Sequence, residues 1–571
     1  MADYDADDMR ADHTKRHELA VDLCLALAFL IHALLFLEYR VDDAFILFRY
    51  AAMWASGEGP VFNPGELVEG YSSPLWVAIL AGVHRIAGHA LVPVFAQIMD
   101  LVAGGALVLV AARIARSACL LAKWGASAAR AAGATAGGLL VVSPAFAMHG
   151  VNGLETAPYA LSLASGALLL LRSEMRGRWA GAGVALAAAA LLRPEGGTMA
   201  LCLCICAGFV ELAYRPKNLP DVYSEVPPPS SRWRRYLLLD IALVTAAMTL
   251  GALCRYVFYE GALFPNTFHA KSGGFWGISA KSYVSSGLFP PLLGVVGMGV
   301  GFFGIILSPT VAKRVAPSLI VGLIGGLLPL LLGSDWMPGA RLVVPYLPLL
   351  SAVLAVGCVS CALLIARFFL GGVSPRALSY CVAGIVVGGA WFSQRAEGER
   401  LREYASVRAR GYATGHTALA EWLGERTESG ETVAMMDVGL VGYERMELRL
   451  LDLAGLTDAR IARSPGGSLD KWYDPAYVVD AAPAYVVLVF TAPIRGDEHA
   501  LSAEDLTPLL PHARRIYQDP GFRDQYMRMP PESVAPGPSG TDTLAAGLGA
   551  ERVFVHAHPW RHYLLAVFGR R

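Results

Sequence analysis

Residues 74–88 read PLWVAILAGVHRIAG, and their placement decides the topology of the whole chain. The run is apolar but only 15 residues long, with His84 and Arg85 inside it. Crossing the hydrocarbon core takes about 20 apolar residues. A shorter run with two basic side chains suits a helix lying along the interface. Around it, eleven apolar segments read as spans, several of them short: about 18–38, 92–112, 131–147, 157–171, 179–192, 198–214, 236–257, 286–308, 317–332, 343–366 and 377–392. With the N-terminus inside and 74–88 interfacial, inner loops carry nineteen Lys and Arg. Outer loops before residue 393 carry seven. That bias agrees with the positive-inside rule. Counting 74–88 as a span would turn Arg113 to Arg130 outward.

Composition excludes most alternatives. Of 571 residues 55% are hydrophobic and 16% charged, against about a quarter charged in soluble domains. Mean hydropathy is +0.46. Lys+Arg and Asp+Glu are both 47, so no polyanion and no nucleic acid is implied as a partner. The nine cysteines lie in or beside apolar runs, which does not support a disulfide framework; Cys358 and Cys361 read as packing residues. The polar N-terminus MADYDADDMRADHTKRH does not resemble a cleavable signal, so the first apolar run is expected to remain as an anchor. Abundant Ala, Gly and Arg fit a GC-rich bacterium.

From about residue 393 the composition changes. Segments 432–438 (TVAMMDV) and 484–490 (AYVVLVF) read as strands and 412–424 as an amphipathic helix. The expected organisation is a polytopic helical membrane domain at 1–392 and an extracytoplasmic α/β domain at 393–571. Residues 215–235, with VPPPSS, read as a flexible inner linker and 529–541 as a loop.

Chemistry-bearing residues gather in the expected outer loops. Asp42-Asp43 stand just past the first span in EYRVDDAFILFRY. Neighbours on a helix point about 100° apart. One carboxylate is therefore a candidate base, and the other orients it or caps the helix Ala44–Tyr50. Loop one continues through Glu69 and Tyr71. Loop two holds Asn152 and Glu155, loop three Arg193 and Glu195, loop four Asn266, His269 and Lys271, and loop five Asp335, Trp336 and Arg341. Hydroxyl, amide and carboxylate groups of this kind bind sugars. Charged groups at bundle ends carry a functional expectation, and a cation such as Lys271 or Arg341 holds a lipid phosphate. No HExxH, cysteine cluster or phosphate-binding glycine loop is present.

The run DDAFILFRYAAMWASGEGPVFNPGELVEGYSSPLW, followed in order by NGLET, LRPEG, FPNTFHAKSG and DWMPGARL, resembles the polytopic GT-C glycosyltransferases. Among them it is most similar to the AftB-like terminal arabinofuranosyltransferases of actinobacterial cell-wall synthesis. MMDVGLVGY and DLAGLTDARIA resemble the start of that group's outer domain. The resemblance covers roughly residues 18–460. It implies a polyprenyl-phosphate sugar donor, a glycan or lipid-linked acceptor, juxtamembrane helices in the first outer loop, and a catalytic Asp at Asp42 or Asp43. Lys271 and Arg341 then face the donor phosphate. Arabinofuranose is the relatives' sugar; mannose, another hexose or an aminopentose stay open. A single base implies inversion at the anomeric carbon. The chemistry demands no cofactor; if a divalent metal took part, Asp42, Asp43 and Glu155 would supply oxygens. The competing readings are a transporter or flippase of a lipid-linked sugar and a non-catalytic glycan-binding membrane protein. The expected location is the bacterial plasma membrane, multi-pass, with a cytoplasmic N-terminus and an extracytoplasmic active site.

Overall fold

The structure is a computed structural model that describes residues 2–176, 181–213, 232–272, 279–288, 294–333, 335–368, 374–467, 469–494, 501–528 and 540–571. The chain begins with α1 (Ala2–Leu34), α2 (Asp42–Ser56), α3 (Pro74–Ala87), α4 (Leu91–Leu121), α5 (Ala126–Val141), α6 (Pro144–His149), α7 (Thr156–Arg176), α8 (Ala182–Leu192) and α9 (Gly196–Ala213). It continues with α10 (Arg232–Phe258), α11 (Asn266–Lys271), α12 (Ala280–Leu288), α13 (Gly294–Ile306), α14 (Pro309–Leu327), α15 (Pro329–Leu332), α16 (Leu347–Phe368), α17 (Pro375–Gly411), α18 (Ala418–Gly424) and α19 (Val438–Glu444). Five helices among the described residues are long and apolar enough to cross a membrane: Leu91–Leu121, Trp233–Phe258, Pro309–Leu331, Val344–Phe368 and Pro375–Gly424. On α1, Leu19, Leu23, Leu27 and Ile31 are each more than half exposed. Their spacing of four draws one apolar stripe along the helix, a surface suited to lipid.

Several expected segments are built differently. The run 131–147 is broken at Ser143, which caps α6 by accepting from the Phe146 N–H at 3.3 Å, with Pro144 in the first helical position. The run 286–308 is shared between α12 and α13. Helix α17 does not stop at 392. Its 37 residues extend about 55 Å at 1.5 Å per residue, well beyond a core of about 30 Å. It passes through a π turn at Tyr412–Thr417 into α18, so 412–424 ends a long helix instead of forming a separate one. Residues 74–88 form the amphipathic α3, burying Trp76, Val77, Leu80 and Ala81 and leaving Ile86 89% exposed. It packs on α2, α4 and α8. Residues 214–231 and 529–539 lie outside the described residues, and with them most of the expected linker and loop. Gly540–Leu548, expected to begin as loop, is helical. All nine cysteines are free.

The C-terminal sheet has six strands: β1 (Thr432–Met435), β2 (Arg449–Asp452), β3 (Tyr485–Pro493), β4 (Thr507–Pro508), β5 (Arg552–Val555) and β6 (Arg561–Gly569). Their order is β2-β1-β3-β6-β5, with β4 on β3; β1 runs parallel to β2 and β3, and the other pairs are antiparallel. The expected strand 432–438 ends at Met435, because Asp437 turns the chain into α19. Alternation assigns the two faces. Val433, Met435, Val487, Val489, Leu565 and Val567 join the core of the helical body, while Ala434, Val486, Leu488, Phe490, Leu564 and Phe568 form a second core on the far face. The sheet is therefore packed onto the helices by one whole face.

Candidate active site

The site is organised by the contact of α2 with α19. Asp42 opens α2 after an extended Val41, yet it does not cap its own helix as expected. Its Oδ2 accepts from the Gly439 N–H and its Oδ1 from the Leu440 N–H, both at 2.8 Å. Asp42 thus caps the first turn of α19, nearly 400 residues away in sequence. Seven residues on, two turns along the same face, the fully buried Arg49 receives the other end of α19. Its Nη1 donates to Gly442 O and, at 3.1 Å, to Arg445 O; its Nη2 donates to Leu448 O at 2.6 Å and its Nε to Phe62 O at 2.8 Å. An anion at the N–H end and a cation at the carbonyl end both complement the helix dipole. Glycine makes the approach feasible: a Cβ at Gly439 would lie 2.1 Å from Asp42 O.

Asp43, about 100° around α2, makes no hydrogen bond to any described residue and is half-buried. Burial raises its pKa, the charges of Lys271 and Arg341 pull it back down, and those of Asp335 and Asp437 push it up. The Asp42 carboxyl is pushed up to about 7, first by burial and then by the Asp437 charge. Arg341 is buried and paired. Its Nε lies 2.7 Å and its Nη2 2.6 Å from Asp335 Oδ2, while Asp335 Oδ1 accepts from the Trp336 N–H at 2.8 Å. Burial opposes ionisation of Asp335, but Arg341 overcomes it and holds that carboxyl below its ordinary value. Lys271, at the end of α11, is exposed and has no ion pair among the described residues.

Other expected site residues serve to join loops. Glu69 is buried and bound through both oxygens by Arg255. The Tyr71 and Tyr259 hydroxyls are 3.0 Å apart. Asn152 donates to His149 Nδ1 at 3.0 Å, and His149 Nε2 meets Pro338 O at 3.0 Å, fastening loop two to loop five. Arg193 is buried between Glu155 (3.0 Å) and Glu195 (3.3 Å) over the Tyr159 ring. Asn266 donates to the carbonyls of Gly455 and Leu456 at 2.9 Å, fastening loop four to the sheet domain. His269 offers its carbonyl to Lys471 Nζ at 2.9 Å. Trp336 lies 5.8 Å below the Arg408 guanidinium. The structure thus brings Asp43, Lys271, Asp335 and Arg341 within one electrostatic neighbourhood. Glu69, Asn152, Arg193 and Asn266 tie the surrounding loops together.

Sequence reasoning missed the contribution of the sheet domain. Arg408 Nη1 donates to His556 Nε2 at 2.7 Å; His556 Nδ1 and His416 Nδ1 are 3.0 Å apart; His416 Nε2 is 3.2 Å from Asp437 Oδ2. The Tyr563 hydroxyl donates to that same oxygen. Tyr412 Oη accepts from Arg408 at 2.9 Å and from the Asp42 N–H at 3.1 Å, tying this chain to α2. The signal was an Asp two residues past the end of β1 and two before Gly, in MMDVG. At the carboxyl end of a parallel strand such a residue faces the crevice where ligands bind.

Comparison with known proteins bears on the fold. Residues 402–529 match a model described as a domain of unknown function (DUF8728). No curated protein matches the chain. ArnT from Cupriavidus metallidurans bound to undecaprenyl phosphate superposes with a TM-score of 0.52 at 14% identity, over 82% of this chain and 92% of that one. The Archaeoglobus fulgidus oligosaccharyltransferase in its apo form gives 0.50 at 12% identity, over 82% of this chain and 69% of that one. The same enzyme tethered to an acceptor peptide gives 0.50 at 10%, over 97% and 89%. The likeness shows a fold shared with ArnT and the oligosaccharyltransferase.

Proposed function

We propose that this chain is a membrane glycosyltransferase in which Asp43 is the general base. It moves a sugar from a polyprenyl-phosphate donor to a cell-envelope glycan or lipid-linked acceptor. The observation that carries the reading is the division of labour between two neighbours. Both oxygens of Asp42 are occupied by backbone N–H groups of α19. No donor among the described residues reaches the Asp43 carboxylate, which feels the charges of Lys271 and Arg341. A carboxylate with no fixed donor is the one free to take a proton. The resemblance of the loop motifs and the fold shared with an undecaprenyl-phosphate-bound structure support a lipid-phosphate donor.

In this mechanism the donor tail lies in the bilayer and its phosphate meets Lys271 and the Asp335-held Arg341. The acceptor O–H gives its proton to Asp43 as its oxygen bonds the anomeric carbon. The bond from that carbon to the phosphate oxygen breaks, and polyprenyl phosphate departs as an anion stabilised by the cations. One displacement inverts the centre, and arabinofuranose is the sugar favoured by the resemblance. Residues 1–392 form the catalytic membrane part with eleven crossings and a cytoplasmic N-terminus. Residues 393–571 stand on the extracytoplasmic side.

The test is transfer from polyprenyl-phosphoryl arabinofuranose by purified variants. Asp43→Asn should lose about 10²–10⁴-fold in turnover, the range for general-base removal, with its melting temperature unchanged. Near wild-type transfer by that variant would overturn the reading.

A further inference from the structure

We propose that the sheet domain completes the reaction chamber with a carboxylate, Asp437, whose free oxygen receives a hydroxyl of the acceptor glycan. The inference rests on the glycosyltransferase reading and adds an acceptor-binding residue to it.

The tautomers of the chain ending at Asp437 follow from elementary bonding. A guanidinium has no acceptor, so Arg408 requires a lone pair on His556 Nε2. The His556 proton is then on Nδ1 and is donated to His416 Nδ1. The His416 proton is on Nε2 and is donated to Asp437 Oδ2. Every polar atom of both rings is used with both histidines neutral. Tyr563 adds a second donor to Oδ2. Three parts of the sheet domain and the long α17 thus aim one carboxylate, and Arg408, His416 and His556 are all buried.

A carboxylate with both oxygens engaged is spent on architecture, and buried Asp100, bound by Gly153 through Oδ2 alone, shows that one engaged oxygen can also serve that end. Two carboxylates show the first pattern: Asp42, bound by Gly439 and Leu440, and Asp452, bound by Ala454 and Thr457. Asp437 differs. Its Oδ2 carries two donors, its Oδ1 has none among the described residues, and its side chain is 23% exposed. Burial raises the pKa of this carboxyl, while hydrogen bonds from His416 and Tyr563 and the Arg408 charge act against burial, and the balance lies below the ordinary value, so the open oxygen is anionic.

Placement supplies the role. Asp437 stands two residues before Gly439, which Asp42 binds, and Asp43 is next to Asp42, so the two open carboxylates flank one joint. Lys271 and Arg341 suit the donor phosphate. An anion on the sheet-domain side repels phosphate and accepts only O–H or N–H groups. A polyol acceptor meets both demands. Asp437 receives one of its hydroxyls and orients the neighbouring one toward Asp43. Asp437 takes no proton in the step. Arg408, His416, His556 and Tyr563 are positioning residues.

The experiment uses the full-length protein in nanodiscs, with polyprenyl-phosphoryl arabinofuranose as donor and an arabinofuranose oligosaccharide as acceptor. Two readouts are taken: transfer, and acceptor-free donor hydrolysis to polyprenyl phosphate. Asp437→Asn should raise acceptor KM about tenfold or more, the scale of one charge-assisted hydrogen bond, with transfer at limited acceptor losing more than donor hydrolysis does. Tyr563→Phe, which keeps the packing, should shift acceptor KM the same way by a smaller factor. His416→Gln, which keeps an N–H donor, should stay closer to wild type than His416→Leu. Unchanged acceptor KM in Asp437→Asn refutes the inference, as does equal loss of hydrolysis and transfer. If Asp437→Asn fails to fold, Tyr563→Phe decides by the same criterion. Full transfer by Asp43→Asn, or none by the wild-type chain, counts instead against the parent reading.

Discussion

Arg49→Met tests the joint between the helical body and the sheet domain. The substitution keeps an unbranched, apolar side chain of similar reach and removes the cation. Three buried carbonyls, those of Phe62, Gly442 and Leu448, lose their donor, and the Arg445 carbonyl keeps only the Leu448 N–H. A hydrogen bond to a charged group contributes about 1.5–3 kcal/mol, and a buried group left unpaired costs about 1–3 kcal/mol. These losses do not add fully among neighbours, so about 3 kcal/mol is expected for the site. Opening of α19 as a local unit should become easier by that amount. Since about 1.4 kcal/mol is a factor of ten, amide protection over Val438–Leu448 should fall roughly 100-fold in hydrogen exchange. Protection in the far-face core, around Val486 and Phe568, should stay as in the wild type. Protection over α19 within about threefold of wild type would show that Arg49 does not clamp the helix. Uniform loss across the sheet would show that the two cores open as one unit.

Gly439→Ala should loosen the same joint by steric means, because its Cβ would lie 2.1 Å from Asp42 O; limited proteolysis should release a fragment containing the sheet. Asp43 must be ionised to act as base, and burial raises its pKa, so kcat/KM should fall on acidification at a higher pH than an ordinary carboxylate dictates. Lys271 favours the ionised form, so Lys271→Gln should move that acid limb to still higher pH in the pH–rate profile. The same variant should raise donor KM about tenfold, the effect of about 1.4 kcal/mol of lost phosphate attraction. Arg255→Met leaves Glu69 buried without its cation, which destabilises by about 3–5 kcal/mol; the double variant with Glu69→Gln should recover most of the lost thermal stability.

The parts legible in the sequence are those set by local composition. Short apolar length together with His84 and Arg85 set α3 apart, because two basic side chains in a helix of 14 residues suit an interface. Polar residues in the expected outer loops stood out against the apolar runs on either side of them. The β-branched, apolar run AYVVLVF marked β3, whose successive side chains enter two different cores. Helix ends were less legible. At Ser143 a local cap broke an apolar run, while α17 continued past its apolar half because charged residues sustain a helix equally well in water.

What Asp42-Asp43 do was closed to any local reading. Sequence places them in one motif, one as base and one as support, without saying which; the approach of α19 engages both oxygens of Asp42 and none of Asp43. Arg49 read as one more outer-face cation until the carbonyl end of that helix was seen to surround it. Asp437, His416 and His556 lie up to 140 residues apart, so their alignment is a property of the sheet and of α17. Hydropathy and periodicity are sums over neighbours along the chain, and they decide what enters the bilayer. A carboxylate's role depends on which donors reach its two oxygens, and those donors come from distant segments brought together by packing.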